Sequence, residues 1–211
     1  MTDSNILELL PYDELIHKLF ITCSNGDADY LKLLLEAGVD VNIKDIVGAT
    51  PLHIVADLGW VEFVKLLLEA GADTNATYGY GYDTPLHDTA EYVKVECLKL
   101  LLEADADINA IDIDNNDTAA HLATTNGNIE CLKELKTIIT KANYWSKTPL
   151  HLASEFGKYC CVKYILDVLS ESESDIDICD IYGETPLHKS TIHGSYQCME
   201  LLIVMVLILI N

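Results

Sequence analysis

The chain has 211 residues, of which 50% are hydrophobic and 22% are charged, so its composition is that of a globular protein rather than a disordered one. Its 34 acidic residues outnumber 13 basic ones, which are all lysines, and the formal net charge is −21. Because nucleic acids and anionic membranes are bound through cationic side chains, this charge excludes both as expected partners. It favours a protein partner with a basic surface, mainly through the rate of association.

The two ends of the chain carry no pattern of a leader or of a membrane span. Residues 1–13 form an extension with acidic side chains where a secretory leader needs positive ones. Together with an odd number of cysteines, seven, this predicts a reduced protein in the cytoplasm. The apolar run Leu201–Ile210 is ten residues long, whereas a span needs about 20.

A repeat of about 34 residues organises the chain between these ends. The tetrapeptide Thr-Pro-Leu-His occurs four times, with a degenerate Thr-Ala-Ala-His between the second and third copies, and successive threonines are 34, 34, 30 and 37 residues apart. These threonines are Thr50, Thr84, Thr118, Thr148 and Thr185. A second string begins with three leucines and ends in Asp-x-Asn; it spans Leu33–Asn42, Leu66–Asn75 and Leu100–Asn109.

Each repeat has the signals of two short helices. Thr50 is a helix N-cap, and the following Pro51 suits the first helical turn, where its missing N–H costs nothing. Gly59 and Gly71 end the first and second helices in the left-handed conformation, and a turn follows. Two short helices cannot bury their apolar faces alone, so the pattern predicts that stacked neighbours supply the core.

These motifs resemble the ankyrin-repeat family over nearly the whole chain. The resemblance implies an all-α solenoid of helix-turn-helix units with hairpin-like finger loops, forming a single domain over residues 14–211. The expected repeats span residues 14–46, 47–80, 81–114, 115–144, 145–181 and 182–211. The resemblance also implies a monomeric protein-binding module without catalysis, metal or cofactor. Ankyrin proteins of this composition are frequent in intracellular bacteria and large viruses, which adds delivery to a host cytosol as an expectation.

Histidines and cysteines invite a metal-site hypothesis that the repeat register argues against. Five histidines occupy one slot in five repeats, so stacking separates them by roughly 10 Å, far more than a zinc site allows. They are His53, His87, His121, His151 and His188. We expect each to be buried and to bond backbone near its threonine. Cysteines of the second helices also share one slot, and we expect them to pack as small hydrophobes: Cys97, Cys131, Cys161 and Cys198. Cys23 is expected in the core as well, and Cys160 and Cys179 at the surface.

Several repeats depart from the pattern. Val93 and Asp105 replace the two helix-ending glycines in the third repeat, and the β-branched Val93 predicts a distorted turn. The fourth repeat is shorter and carries charges in its leucine run, which predicts a short finger and a weak point. The fifth has a longer loop, Ser170–Asp175, whose serines among acids suggest either a solvated loop or a kinase substrate.

Exposed aromatic and polar residues at the repeat boundaries are the candidate binding residues, because the resemblance places finger tips and first-helix surfaces on the concave binding face. The candidates are Tyr78, Tyr80, Tyr82, Ile113, Asp114, Asn115, Tyr144, Trp145 and Tyr182. Aromatic side chains there would serve as binding hot spots. Alternatively, some rings fold back onto the neighbouring hairpin, and Tyr82 and Tyr182 are the expected cases.

Three asparagines close the Asp-x-Asn strings: Asn42, Asn75 and Asn109. Asparagines at this position of ankyrin hairpins can be hydroxylated by a cytosolic dioxygenase, so the resemblance implies a modification site. The favoured interpretation is structural, with the side chain stabilising the turn.

The C-terminal run Val204–Ile210 departs from the repeat that precedes it. Suitable codons for this run, read in another frame, spell Tyr-Gly-Ala-Asp-Ile-Asn, with the glycine at position 206, the slot of Gly71. The sequence therefore suggests a shifted reading frame and exposed apolar surface that favours association. Two functional alternatives remain: a stoichiometric inhibitor or adaptor of a host enzyme, and a decayed fragment without present function.

Overall fold

The structure is a computed structural model that describes residues 10–171 and 175–210, with side chains through residue 208. It divides into two compact units, unit 1 (Met1–Asp107) and unit 2 (Ile108–Asn211). The helices of unit 1 are α1 (Tyr12–Asn25), α2 (Ala28–Glu36), α3 (Pro51–Leu58), α4 (Val61–Glu69), α5 (Pro85–Glu91) and α6 (Val95–Glu103). Those of unit 2 are α7 (Ala119–Asn126), α8 (Ile129–Glu134), α9 (Pro149–Glu155), α10 (Tyr159–Glu171), α11 (Pro186–Ile192) and α12 (Tyr196–Ile210).

Each unit is a stack of three helix pairs, as the repeat predicts. In unit 1, α3 packs between the first helices α1 and α5, while α4 packs between the second helices α2 and α6. In unit 2, α9 packs between α7 and α11, and α10 between α8 and α12. The all-α, helix-turn-helix fold is confirmed. A single domain over residues 14–211 stays a prediction.

A threonine and a histidine begin five of the first helices. In α3, Thr50 is extended, Pro51 occupies the first turn, and His53 Nδ1 accepts from the Thr50 N–H at 3.1 Å and lies 2.8 Å from Thr50 Oγ1. The same arrangement begins α5, α7, α9 and α11. It is a capping box with histidine in the place of the usual Glu or Gln.

His53, His121 and His151 also connect consecutive repeats, whereas His188, in the last repeat, is exposed, so the expectation that all five histidines are buried is wrong for His188. His53 Nε2 lies 3.3 Å from the carbonyl oxygen of Asp83, the residue before the next threonine. The corresponding distances are 3.1 Å from His121 to the Lys147 carbonyl and 3.2 Å from His151 to the Glu184 carbonyl. Burial lowers the pKa of His53 to about 4, so the ring is neutral and Nδ1 is free to accept while Nε2–H donates. We call this arrangement the Thr–His link.

The core consists of leucines and valines on the inner helix faces, and the cysteines join it as predicted. Cys97, Cys131, Cys161 and Cys198 are buried, as is Cys23, whereas Cys160 and Cys179 are exposed. Burial raises the pKa of the Cys97 thiol to about 11, which keeps it protonated and unreactive. These cysteines therefore act as small core residues.

The third repeat keeps regular turns where the sequence predicts a distorted one. Val93 adopts φ 63°, close to the φ 77° of Gly59 in the equivalent slot, and Asp105 adopts φ 61°. The turn keeps its hydrogen bond, because the Lys94 N–H donates to the Thr89 carbonyl at 2.9 Å just as the Trp60 N–H donates to Val55 at 3.0 Å. The prediction of a distorted turn is wrong: the turn keeps its hydrogen bond, and the valine carries the backbone strain of a positive φ.

The remaining irregular segments follow their sequence departures. In the fourth repeat α8 has six residues and continues as a 3₁₀ turn, Lys136–Ile138. Residues 172–174 of the acidic serine loop lie outside the described residues, as do residues 1–9 of the N-terminal extension. The last helix runs through the register where the others end, and it exposes Ile203, Val204, Leu207 and Ile208. A shifted reading frame stays a prediction.

The strained turn at Val93 gives a stability prediction. We expect Val93→Gly to raise the free energy of unfolding by about 1 kcal/mol, because glycine adopts positive φ without strain and Val93 is half exposed. The reverse change, Gly194→Val, is expected to cost a similar amount, since nothing lies within 4 Å of the added Cβ and only the backbone resists. Urea unfolding followed by circular dichroism measures both. A neutral or destabilising Val93→Gly would contradict this account.

Candidate functional site

The fingers are tight hairpins closed by an aspartate or asparagine side chain. In the first finger the Asp45 N–H donates to the Ala49 carbonyl at 2.9 Å, and Asp45 Oδ1 accepts from the backbone N–H groups of Val47 and Ala49 at 2.9 and 2.8 Å. Three other fingers repeat this scheme from Asp112, Asn143 and Asp180. These side chains fix the loop shape without regular strands.

Neighbouring fingers within a unit are joined by backbone hydrogen bonds. In unit 1 the Gly79 N–H donates to the Val47 carbonyl at 3.0 Å. In unit 2 the Tyr144 N–H donates to Asn115 at 2.7 Å, and the Ile181 N–H donates to Trp145 at 3.1 Å. The finger tips of a unit therefore form one continuous row that holds its side chains in fixed positions.

Four of the predicted residues come together on the fingers of unit 2, and we call them the finger platform: Asn115, Tyr144, Trp145 and Tyr182. Trp145 Nε1–H donates to Asn115 Oδ1 at 3.1 Å. The Tyr144 ring lies edge-on to the Trp145 ring, with 5.2 Å between the ring centroids. The Tyr182 ring is nearly parallel to the Trp145 ring, with 6.4 Å between the centroids. Tyr144 and Tyr182 are nevertheless 64% and 65% exposed. The platform is preorganised and still open to a partner.

Four other predicted finger residues, Ile113, Asp114, Tyr80 and Tyr82, are exposed. Ile113 and Asp114 lie at the tip of the finger that contains Asn115. Tyr80 is 98% exposed, and Tyr82 is exposed with φ 57°. The Tyr182 ring stacks on Trp145 of the preceding finger, whereas in the loop of Tyr82 the ring that turns inward is Tyr78; folding back of Tyr82 stays a prediction.

Tyr78 is directed into unit 1 by its contacts. Its ring packs edge-on against His53 at 4.6 Å, and its hydroxyl donates to Asp88 Oδ1 at 3.3 Å. Asp88 is only 4% exposed, and its Oδ2 has no hydrogen-bond partner. Burial, together with the charges of Asp83 and Asp57, raises the pKa of Asp88 to about 8. Burial, followed by the same two charges, also raises the pKa of Glu91.

Asp88 is a functional candidate that the sequence reasoning missed, although a signal was present. It occupies the slot four residues after the threonine, where three other repeats have Ile54, Leu122 and Leu152. An acid in an otherwise apolar slot marks a departure that packing alone does not require.

The last repeat fills the same slot with a lysine, and there the charge is compensated. Lys189 is buried, lies 2.7 Å from Asp180 Oδ2 and pairs with Glu184. Although burial opposes the charged form, the hydrogen bonds that Lys189 donates to Asp180 and Glu184 raise the pKa of Lys189. Lys189 Nζ also lies 5.8 Å from the centre of the Tyr182 ring, so this ammonium group makes a cation–π contact with the finger platform.

The asparagines of the Asp-x-Asn strings bridge consecutive repeats. Asn42 Oδ1 accepts from the Asp73 N–H at 2.7 Å, and its Nδ2 donates to the Gly71 carbonyl at 3.1 Å. Asn75 Oδ1 accepts from the Asp107 N–H at 2.7 Å. These bonds give the two asparagines a structural role that joins repeats rather than stabilising a single turn, while hydroxylation of Asn42, Asn75 and Asn109 stays a prediction.

The described residues contain neither a cluster of metal ligands nor a helix that could span a membrane. Within residues 10–171 and 175–210, no three histidine, cysteine or acidic side chains lie close enough together to hold a metal ion. None of the helices described there combines the length and hydropathy that a bilayer span requires.

Comparison with known families agrees with the repeat geometry. A family model described as ankyrin repeats (3 copies) matches residues 19–112 and 111–176, and one described as ankyrin repeats (many copies) matches residues 150–203. The chain belongs to the ankyrin-repeat family. Ankyrin repeats are protein–protein interaction modules and are in general non-catalytic, so the surfaces described above are candidate protein-binding surfaces.

Curated relatives share one short stretch with this ankyrin protein. Protein phosphatase 1 regulatory subunit 12A from Mus musculus and the protein of that name from Rattus norvegicus are each 51% identical to it over 41 residues. The stretch covers 19% of this chain and 4% of the relatives, so the chain spans a small part of their length. A stretch of 41 residues corresponds to little more than one repeat.

The buried acid gives a prediction about pH. The pKa of Asp88 is raised in the folded state, so the fold binds a proton that the unfolded chain releases between pH 4 and 8, and stability falls as pH rises through that window. Asp88→Asn cannot ionise. We therefore expect the change in free energy of unfolding caused by Asp88→Asn to be more favourable at pH 8.5 than at pH 4.5, by at least about 1 kcal/mol. Urea unfolding at the two pH values measures it.

The exposed Asp114→Asn is the control for this measurement, because the change in formal charge is the same and the side chain is in solvent. It is expected to show no comparable pH-dependent gain. An Asp88→Asn effect that is equal at the two pH values would contradict the assignment of a protonated, buried Asp88.

Proposed function

We propose that this ankyrin protein is a non-catalytic binding module that recognises a protein partner through its finger loops and the adjoining first-helix face. The observation that carries the proposal is the finger platform of unit 2. Tyr144 and Tyr182 offer most of their surface to solvent, yet Trp145 and its hydrogen bond to Asn115 hold them in place. Large aromatic side chains that are rigid before binding are the residues that dominate interface energies.

The charge of the chain supports a partner with a basic surface. At −21, with no arginine, the protein attracts positively charged surfaces over a Debye length and repels nucleic acid. Exposed Asp114 lies on the finger of Asn115, beside the platform in sequence. Charge steers the encounter, and the aromatic rings supply the contact that lasts.

A reduced, cytoplasmic monomer is the state that best supports this function. The second-helix cysteines are buried one to a repeat, an arrangement that favours packing over disulfide formation. The exposed apolar residues of α12 favour association, so the monomer is proposed for dilute solution. Delivery to a host cytosol belongs to the same proposal and rests on composition alone.

A regulatory role toward an enzyme is the second candidate. The relatives that share the 41-residue stretch are named as regulatory subunits of protein phosphatase 1. The shared stretch covers only 19% of this chain and 4% of the relatives. Binding is therefore the primary proposal, and inhibition or adaptation of an enzyme is one form that it would take.

The platform gives a direct binding prediction. We expect Tyr144→Ala combined with Tyr182→Ala to weaken partner binding at least about 10-fold, or 1.4 kcal/mol, because both rings are lost from the contact surface. The measurement is quantitative mass spectrometry of proteins captured from cytosolic extract, followed by titration of the purified partner. Circular dichroism melting confirms that the variant is folded.

Tyr159→Ala is the matched control, since Tyr159 is also an exposed tyrosine of unit 2 but lies at the start of the second helix α10. It is expected to capture the partner as the wild-type chain does. A partner bound equally by all three proteins would contradict the platform as the binding surface, and the absence of any specific partner would contradict the binding function.

A further inference from the structure

We propose that unit 1 carries a second, separate groove that binds an extended protein segment containing a large apolar side chain and, about three residues further on, a lysine or arginine. The inference rests on the proposed function only in treating this ankyrin protein as a protein binder. It uses other residues and names the chemistry of the segment.

The apolar end of the groove lies between α1 and the first finger. It is an open pocket of about 650 Å³ whose apolar lining comes from Ile16, Phe20, Ile21, Ile46 and Ile54. Ile46, at the finger tip, is fully exposed, and Ile21 is also exposed. Asp13 and Asp45 stand at its edge, while Lys44 there donates to the Thr77 carbonyl at 3.0 Å. An exposed apolar pocket of this size fits a leucine or an aromatic side chain.

A second cleft continues the groove toward the next repeat. It has a volume of about 290 Å³ and shares Ser24 and Ile54 with the first pocket, so the two adjoin. Its lining also includes Tyr78 and Asp57, which the first pocket does not contain. The groove therefore joins an apolar end at α1 and α3 to an end that contains the acid Asp57 together with Tyr78, which we call the acidic end.

The acidic end lacks a cation of its own. Asp57 is exposed, and in the described part of unit 1 neither Asp57 nor Asp88 forms an ion pair. Asp88 is 4% exposed and bonds Tyr78 through Oδ1, while Oδ2 stays without a partner. Asp88 does not line the cleft, so the charge that faces the groove at this end is that of Asp57. A basic side chain seated against Asp57 and Tyr78 would pair with that charge.

The occupant follows from the spacing and sign of these features. Consecutive first helices pack roughly 10 Å apart, which an extended chain covers in about three residues. The apolar pocket favours a large apolar side chain, and Asp57 favours a positively charged side chain. A nucleic acid offers phosphates, which are negatively charged, and therefore does not fit. An extended peptide segment meets both requirements, so a partner segment of this chemistry is the occupant to which the proposal commits.

The probe is a fluorescein-labelled peptide, Gly-Ser-Phe-Leu-Ser-Ser-Arg-Lys-Ser-Gly, titrated with the full chain by fluorescence polarisation. Two control peptides replace either the Phe-Leu pair by serines or the Arg-Lys pair by glutamines. We expect each control peptide to bind at least about 10-fold more weakly. Asp57→Asn should weaken binding of the parent peptide at least about 3-fold and reduce its salt sensitivity, since one facing charge is removed from an exposed position.

Further variants show which surface holds the probe. Ile46→Ser removes a fully exposed side chain from the apolar end, so it should weaken the probe at least about 3-fold without disturbing the fold. Asp114→Asn is the charge control and is expected to bind the probe as the wild-type chain does. Tyr144→Ala with Tyr182→Ala should also leave probe binding unchanged, so failure of the finger platform and failure of this groove are distinguishable.

The proposal is overturned if the parent peptide does not bind below about 1 mM, if all three peptides bind equally, or if Asp57→Asn has no effect. Self-association of the chain that Asp57→Asn abolishes would also overturn it, because the occupant would then be a second copy.

Discussion

The bond between a threonine and the histidine three residues later is the interaction on which the rest of each unit depends. It begins the first helix, as in Thr50 and His53, and its second nitrogen reaches the backbone just before the next threonine. The histidine must be neutral to do both, and burial ensures this by lowering its pKa. One side chain therefore sets both the start of a helix and the position of the following finger.

The conformation of the fingers is fixed by this link and by hydrogen bonds to side chains within each finger. The fingers that end at Asp83, Lys147 and Glu184 each have their last carbonyl in contact with the preceding histidine, and an Asx side chain such as Asp180 shapes the loop before it. With the frame fixed, the tips are free to vary. Unit 2 uses that freedom for a stacked aromatic platform, whereas unit 1 combines an apolar pocket with an exposed acid, Asp57, that forms no ion pair within the described part of the unit. The same repeat thus supports two different kinds of contact surface.

Most of the frame can be predicted from the sequence because each rule recurs at one period. The helix starts, the buried cysteines and the glycine turns follow in register, and Asn42 has a structural role, although it joins repeats rather than stabilising a single turn. Prediction fails where a residue's conformation does not follow from the pattern of its own repeat. Val93 adopts a glycine's conformation although a β-branched residue disfavours it, and Tyr78 turns inward because its ring packs on His53 and its hydroxyl bonds to Asp88. The groove of unit 1 joins residues from two repeats, which no single-repeat pattern contains.

Amide hydrogen exchange of the finger at residues 180–184 tests the central claim most directly. His151 Nε2 contacts the Glu184 carbonyl. His188 lies in the first helix of the last repeat, α11, and is exposed; within the part of the chain that the structure describes, it bonds Thr185 and no later finger. If the Thr–His link positions the fingers, His151→Gln will speed exchange across this finger at least about 10-fold, and His188→Gln will change it much less. Equal exchange rates in the two variants would contradict the claim that the histidine of one repeat holds the finger of the next.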